Sequence, residues 1–241
     1  MIEIKALASS SSGNCYHVTD GMTPLLIEVG VSFREIQRGI NFTVTGLAGA
    51  LITHEHGDHS KAARDIMFAG VDAYASWGTF NALHLGGHRS NIVQSLQQFT
   101  VGSWTILPFE SIHDAAEPLN FLLASGDEKL VYLTDTAYCP YRFKGLTHVM
   151  IECNYALDIL NRNVESGAVP AAMKRRIMKS HMSIDTAKGF LQANNLTRVR
   201  EVWLIHLSDG NSDAERFKRE VQAVTGKPVI VAEKRVTGTI A

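Results

Sequence analysis

His54-Glu55-His56-Gly57-Asp58-His59 sets three imidazoles and two carboxylates within six consecutive residues. The stretch follows Leu51-Ile52-Thr53, a short apolar run that reads as a buried strand. His54 and His56 are two apart, so an extended backbone directs both rings to one side. Gly57 permits a sharp turn that presents Asp58 and His59 at a neighbouring position. Every donor is nitrogen or oxygen, a set that suits zinc, manganese or iron with open coordination positions. A closed structural zinc site would more commonly be built from cysteines. The competing reading is a histidine-rich surface turn that binds nothing.

The same pattern recurs along the chain. Residues 130–134 run into Asp135, Val149-Met150-Ile151 runs into Glu152, and residues 202–205 run into His206. Each is a short apolar run that stops at a side chain able to bind metal or move a proton. Side chains at strand ends leave the core for a cleft, where sites collect. Four such endings point to a shared edge. Other β-like runs cover residues 2–7, 15–19, 24–29 and 48–53, with turn residues between them. A helix is expected over 60–69, ending at Gly70. A second opens at Ser183 with Ile184, Ala187 and Leu191 on one face. A third opens at the capping box Ser212-Asp213-Ala214-Glu215, buries Phe217, Val221 and Val224, and ends at Gly226. Interspersed strands and helices make the class α/β (α+β). No linker or internal repeat interrupts the chain, so residues 1–241 are read as a single domain.

Composition narrows the function. The 241 residues include 23 Lys and Arg against 24 Asp and Glu, a formal net charge of −1 that leaves 10 histidines to explain. At 45% hydrophobic and 20% charged, the chain is globular and not disordered. Balanced charge excludes a generally basic coat, so any contact with nucleic acid must be local. No apolar run approaches a membrane span. Met1-Ile2-Glu3-Ile4-Lys5 lacks the order of a signal peptide. Cys15, Cys139 and Cys153 are odd in number and widely separated, which argues against a disulfide framework. A soluble, cytoplasmic protein is expected.

The motif at His54, His56, Asp58 and His59 resembles the His-x-His-x-Asp-His signature of the metallo-β-lactamase superfamily. The resemblance implies an αββα sandwich with a dinuclear metal site in a cleft at one edge of the sheets. It implies three later ligands: His113 beside His54 and His56 at the first metal, Asp135 bridging both, and His206 with Asp58 and His59 at the second. Asp at 135, where many true lactamases carry cysteine, favours two metals over antibiotic hydrolysis. A closer similarity is to the YycJ/WalJ-like branch. It rests on Ser9-Ser10-Ser11-Ser12-Gly13-Asn14, Glu152-Cys153-Asn154, Lys174-Arg175-Arg176-Ile177, Ser180-His181-Met182-Ser183 and His206-Leu207-Ser208. Ser10, Cys153 and Met182 depart from that branch's usual Gly, Ser and Leu. The branch is associated with nuclease activity on DNA ends, and RNase Z is a more distant relative. No β-CASP-type insertion is present.

Two divalent ions, zinc or manganese, lower the pKa of a bridging water towards neutrality and spread the charge of in-line attack on phosphorus. Asp58 would ligate and orient the nucleophile. By similarity to RNase Z-like enzymes, His181 is the candidate proton donor to the leaving oxygen, with Glu152 as its partner. The alternatives are a helix-start histidine bonded to backbone and a buried ion pair. Lys174, Arg175, Arg176 and Lys179 form a phosphate-contacting patch or a solvated helix face. Ser183 is placed with the phosphate contacts and could also cap the helix behind it. Ser9 to Ser12 read more readily as a turn supporting the metal loops than as an anion site. His17 and His148 read as structural, His84 and His88 as loop residues, and Trp77 and Phe80 as core more readily than as base-stacking rings.

The leading expectation is a dinuclear metal-dependent phosphodiesterase acting on nucleic acid as a DNA-end exonuclease. Its rivals are a cyclic or small-nucleotide phosphodiesterase, a thioester or lactam hydrolase, and a non-catalytic metal-binding module. The substrate is nucleic acid or a nucleotide, no membrane is involved, and a homodimer is compatible with the superfamily without being dictated by any residue. Bound divalent ions would make the cleft far more positive than a net charge of −1 suggests.

Overall fold

The computed structural model describes residues 1–233 and the strand Thr237–Gly238. The chain forms two compact units. The first comprises Met1–Glu110, Ala115–Glu128 and the described residues after Val231; the second comprises Ser111–Asp114 and Lys129–Val231.

In the first unit, β1 (Glu3–Ala8), β2 (Cys15–Thr19), β3 (Leu25–Ile27), β4 (Gly49–Leu51), β5 (Ala73–Ala75) and β6 (Ser90–Ile92) lie side by side in chain order, with Thr237–Gly238 beyond β1. β1, β2 and β3 pair antiparallel, and β3 to β6 pair parallel. Parallel neighbours need a crossover. α1 (Phe33–Gly39) serves the first, α2 (Gly57–Ser60) and α3 (Ala63–Phe68) the second, and α4 (Trp77–Ala82) the third. Ile36, Ile66 and Phe80 from these helices join Leu26, Ala50, Ile52 and Ala73 in one buried cluster. The unit also holds an antiparallel meander of β7 (Phe99–Val101), β8 (Trp104–Glu110) and β9 (Leu119–Ser125).

The second unit is built on four parallel strands, β10 (Glu128–Leu133), β11 (His148–Glu152), β12 (Glu201–Ile205) and β13 (Val229–Val231). β11 and β12 are buried throughout, as expected of parallel strands covered on both faces. α5 (Leu157–Glu165), α6 (Ala171–Ser180) and α7 (Ile184–Ala193) connect β11 to β12, and α8 (Ala214–Thr225) connects β12 to β13. Leu133 pairs with Ile151, and Ile151 with Leu204. That register brings the residues following each strand to one carboxyl edge, where open α/β sheets place their sites.

Several local expectations shift. The helix expected over 60–69 divides into α2 and α3, with Lys61 and Ala62 between them. The run over 24–29 shortens to β3 because Glu28 turns the backbone to φ +62°. α7 is capped as expected, with the Ser183 side chain accepting from Thr186 N. α8 is capped by Asp213 instead of Ser212: the Asp213 carboxylate accepts from Arg216 N, while Ser212 Oγ donates to Ser208 O. Val224 is exposed, so Phe217 and Val221 carry the buried face of α8. The three cysteines are buried and unpaired. Among the described residues no helix is long and apolar enough to cross a membrane.

Candidate metal centre

In the first unit the motif begins where β4 ends. Thr53 Oγ1 donates to Glu28 Oε1 at 2.6 Å and lies 2.9 Å from His54 Nδ1. Its hydroxyl proton is committed to the carboxylate, so its oxygen accepts from Nδ1–H. That leaves the lone pair of His54 on Nε2, which lies 3.1 Å from His56 Nδ1. At His59, Nδ1 lies 3.2 Å from Glu28 Oε1, and Nε2 lies 3.3 Å from Asp58 Oδ2 and 3.4 Å from Asn14 Nδ2. A partner that holds the proton on Nδ1 leaves Nε2 bare, the form in which an imidazole takes a divalent ion. The donor set therefore fits a metal.

The backbone of this turn is held from the serine-rich segment. Asn14 N donates to Asp58 O at 2.8 Å, and Gly30 N to Asn14 O at 2.8 Å. A Cβ on Gly30 would stand 1.7 Å from Asp58 O, so the approach requires glycine at that position. Ser10 and Ser12 bond one another, and Ser10 O accepts from Gly13 N. The segment is a turn that supports the metal-motif loop through Asn14.

In the second unit, Asp135, Glu152, His181 and His206 each offer a ligand atom, all within 4.8 Å of one another. Asp135 Oδ2 lies 3.1 Å from His113 Nε2, and Oδ1 lies 3.4 Å from His206 Nε2. The carboxylate thus turns one oxygen to each of two imidazoles, the disposition of a bridging ligand. His113 Nδ1 donates to Ser180 O at 2.7 Å, and His206 Nδ1 lies 3.2 Å from Glu152 Oε1. Both rings keep Nε2 for the Asp135 side. Burial pulls the His113 imidazole below its ordinary pKa against the attraction of Asp135, which keeps it in the neutral form a metal needs. Asp135 and His206 both sit at positive φ, +44° and +53°. Such backbone strain in non-glycine residues collects at functional sites.

Glu152 is wholly buried at the end of β11. Its Oε2 accepts from Thr136 N and Met182 N, both at 3.1 Å, and its Oε1 accepts from His181 Nδ1 at 2.7 Å. Burial opposes its charge, but His181, by charge and by hydrogen bond, outweighs burial and holds the carboxyl below its usual range. For His181 burial favours the neutral ring. The Glu152 carboxylate and Asp135 outweigh it and hold the imidazole above its ordinary pKa.

The basic residues divide. Lys174 Nζ donates to Asn161 Oδ1 at 2.6 Å, and Arg176 Nε to Asp114 Oδ2 at 2.8 Å. Arg175 and Lys179 are exposed. With Arg176, Asp114, Ile112, His113 and Ser180 they line an open pocket of about 450 Å³. Three cations against one carboxylate leave that pocket net positive. Ser183 Oγ is engaged at the start of α7 by Thr186 N and Thr186 Oγ1. His148 is buried against Thr147 and Glu201, and His84 and His88 are exposed. Phe80 belongs to the core, whereas Trp77 is exposed, contrary to its reading as a core residue.

Glu28, Asn14 and Asn154 were not singled out from the sequence. Leu25-Leu26-Ile27-Glu28 repeats the pattern of an apolar run stopping at an ionisable residue and could have marked Glu28. Asn154 Nδ2 donates to His206 O at 3.1 Å; the resemblance carried by Glu152-Cys153-Asn154 includes this position without giving it a role.

Residues 25–207 match the family described as the β-lactamase superfamily domain. The chain is 29% identical over 244 residues to the exodeoxyribonuclease YycJ of Bacillus anthracis, covering 92% of this chain and 89% of that protein. It is 30% identical over 226 residues to the exodeoxyribonuclease WalJ of Streptococcus pneumoniae serotype 2, covering 87% of this chain and 82% of that one. The fold, mixed α/β with two sheets and helices, is similar to the crystal structure of the metallo-β-lactamase fold protein YhfI from Bacillus subtilis. The TM-score is 0.78 at 16% identity over 98% of each chain.

Proposed function

The chain belongs to the β-lactamase superfamily, and from that premise we propose that it is a metal-dependent hydrolase of phosphodiester bonds, an exodeoxyribonuclease that works from DNA ends. The observation that carries this reading is the similarity over 87% to 92% of the chain to two exodeoxyribonucleases. Two divalent ions, zinc or manganese, are assigned to its ligands. His54, His56 and His113 would hold one, Asp58, His59 and His206 the other, and Asp135 both. When bound, the ions supply Lewis-acid polarisation of the phosphoryl group and acidify a water molecule.

The chain's own residues do the rest. Asp58 orients the attacking water. His181, held by Glu152 with Nδ1–H committed to the carboxylate, presents Nε2–H to the leaving oxygen as general acid. Glu152 is a positioning residue: it fixes the tautomer and raises the pKa of the ring above that of an ordinary imidazole. Arg175, Arg176 and Lys179 meet the phosphate backbone, supplying a local contact that the balanced net charge does not. The protein is proposed to act in the cytoplasm.

The deciding experiment sets end-labelled DNA and RNA against a panel of cyclic nucleotides, with an activated phosphodiester to score hydrolysis. The proposal expects progressive shortening of DNA from an end. Turnover confined to cyclic nucleotides, or to a thioester or lactam, would overturn it.

A further inference from the structure

From Ala75 to Phe80 every residue is buried except Trp77, which is 61% exposed. The two other tryptophans, Trp104 and Trp203, are fully buried. A single exposed apolar side chain needs no explanation by itself; what distinguishes Trp77 is how it is held. Ser76 caps α4 by accepting from Thr79 N, and its hydroxyl reaches Glu117 O at 2.7 Å. Gly78 N donates to Glu117 Oε2 at 2.7 Å, and a Cβ at Gly78 would lie 2.5 Å from Glu117 Cβ. The preceding residue closes the link: Ala116 N donates to Glu55 Oε1 at 2.8 Å. Glu55 lies between His54 and His56. The exposed indole is therefore fastened, through one short segment, to the middle of the metal motif.

We propose that the Trp77 indole is a stacking platform for an unpaired nucleobase at the end of the substrate strand. This rests on the reading of the chain as a nuclease. An indole face gains from stacking on any base, without sequence preference, as an enzyme that shortens a strand of arbitrary sequence requires. The neighbouring carboxylates Glu55 and Glu117 repel a phosphodiester and leave an uncharged base unopposed. A base, not the backbone, is the ligand this position fits.

Burial of Trp104 and Trp203 makes Trp77 the ring whose emission a ligand in solvent can reach. The metal-loaded protein is titrated with a single-stranded oligonucleotide carrying phosphorothioate linkages that resist cleavage. Tryptophan emission should fall saturably, and Trp77→Phe should lose that response. By anisotropy of a labelled oligonucleotide, Trp77→Ala should raise Kd about 5- to 150-fold, and Trp77→Phe should recover most of the loss. An oligonucleotide abasic at its terminal positions should bind the unsubstituted protein more weakly, while Trp77→Ala should not distinguish it from the intact strand. Undiminished binding in Trp77→Ala, or tight binding with unchanged emission, would overturn the proposal. So would an emission change that follows protein concentration without DNA, accompanied by dimerisation, which would give Trp77 to a second copy of the chain. If no variant binds oligonucleotide and none is cleaved, the nuclease reading itself fails.

Discussion

The two units assemble the residues proposed as metal ligands by opposite means. In the first, His54, His56, Asp58 and His59 come from one turn after β4, and one carboxylate, Glu28, steadies the turn by reaching Thr53 and His59. In the second, His113, Asp135 and His206 are far apart in sequence. The register of β10, β11 and β12 brings the residues after those strands to one edge. There Glu152 serves as common acceptor for His181, His206, Thr136 and Met182. A local set depends on a few backbone dihedrals. A dispersed set depends on strand register and on one buried charge, so its damage should spread further from the substituted residue.

The largest expected effect lies in the local set. Asp58→Ala should lower turnover by at least about 10⁴-fold while the thermal unfolding transition survives; a variant with near-normal turnover would remove Asp58 from the chemistry. In the dispersed set, His181→Ala should lower kcat roughly 10²- to 10⁴-fold with metal content retained, which would separate proton donation from metal binding. Loss of metal in that variant would make His181 a ligand instead.

Glu28→Gln and Asn154→Ala sharpen the comparison through metal affinity. Each removes a partner of a ligand and should weaken metal binding about 10- to 100-fold. The Glu28 variant should weaken both ions, because Glu28 supports His54 through Thr53 and His59 directly; the Asn154 variant should weaken chiefly the ion assigned to His206. Loss of one ion alone in the Glu28 variant, or equal loss of both in the Asn154 variant, would contradict that assignment.

The pH dependence follows from the raised pKa of His181. A ring whose folded pKa is raised stays protonated above the ordinary imidazole range near 6.5. It loses its Nε2 proton, and with it the charge attraction to Glu152, as pH rises through the folded value, while Nδ1–H still donates to the carboxylate. The alkaline fall of kcat should therefore report His181. In Glu152→Gln, where the neutral amide no longer supports the cation, that fall should move to lower pH. An unmoved limb would assign it to another group.

The smallest effect is expected outside both sets. Ser183→Ala should cost about 1 kcal/mol of stability through loss of the α7 cap, read as a lowered denaturation midpoint.

The contrast between the two sets also decides how much was legible in the sequence. The motif is contiguous, and short apolar runs betray their strand ends, so His54 to His59, Asp135, Glu152 and His206 could be read directly. His113 and His181 could not: the first follows β8 by three residues and the second ends α6, and each was reached through family resemblance. The partners that fix ring tautomers were least visible. Glu28 reaches Thr53 and His59 across the sheet, and Asn14 reaches Asp58 from a turn more than forty residues away. Such contacts are set by strand pairing, which composition and spacing do not encode. The basic run at 174–179 illustrates the limit differently. Its charges are plain in the sequence, but Lys174 turns to Asn161, leaving Arg175, Arg176 and Lys179 at the pocket.

The most direct test of the account is elemental analysis of the purified chain, unsubstituted and as Asp135→Asn. The account predicts about two divalent ions per chain, with a marked loss when the Asp135 carboxylate becomes an amide. Fewer than about one ion per chain, or a full complement untouched by Asp135→Asn, would contradict it.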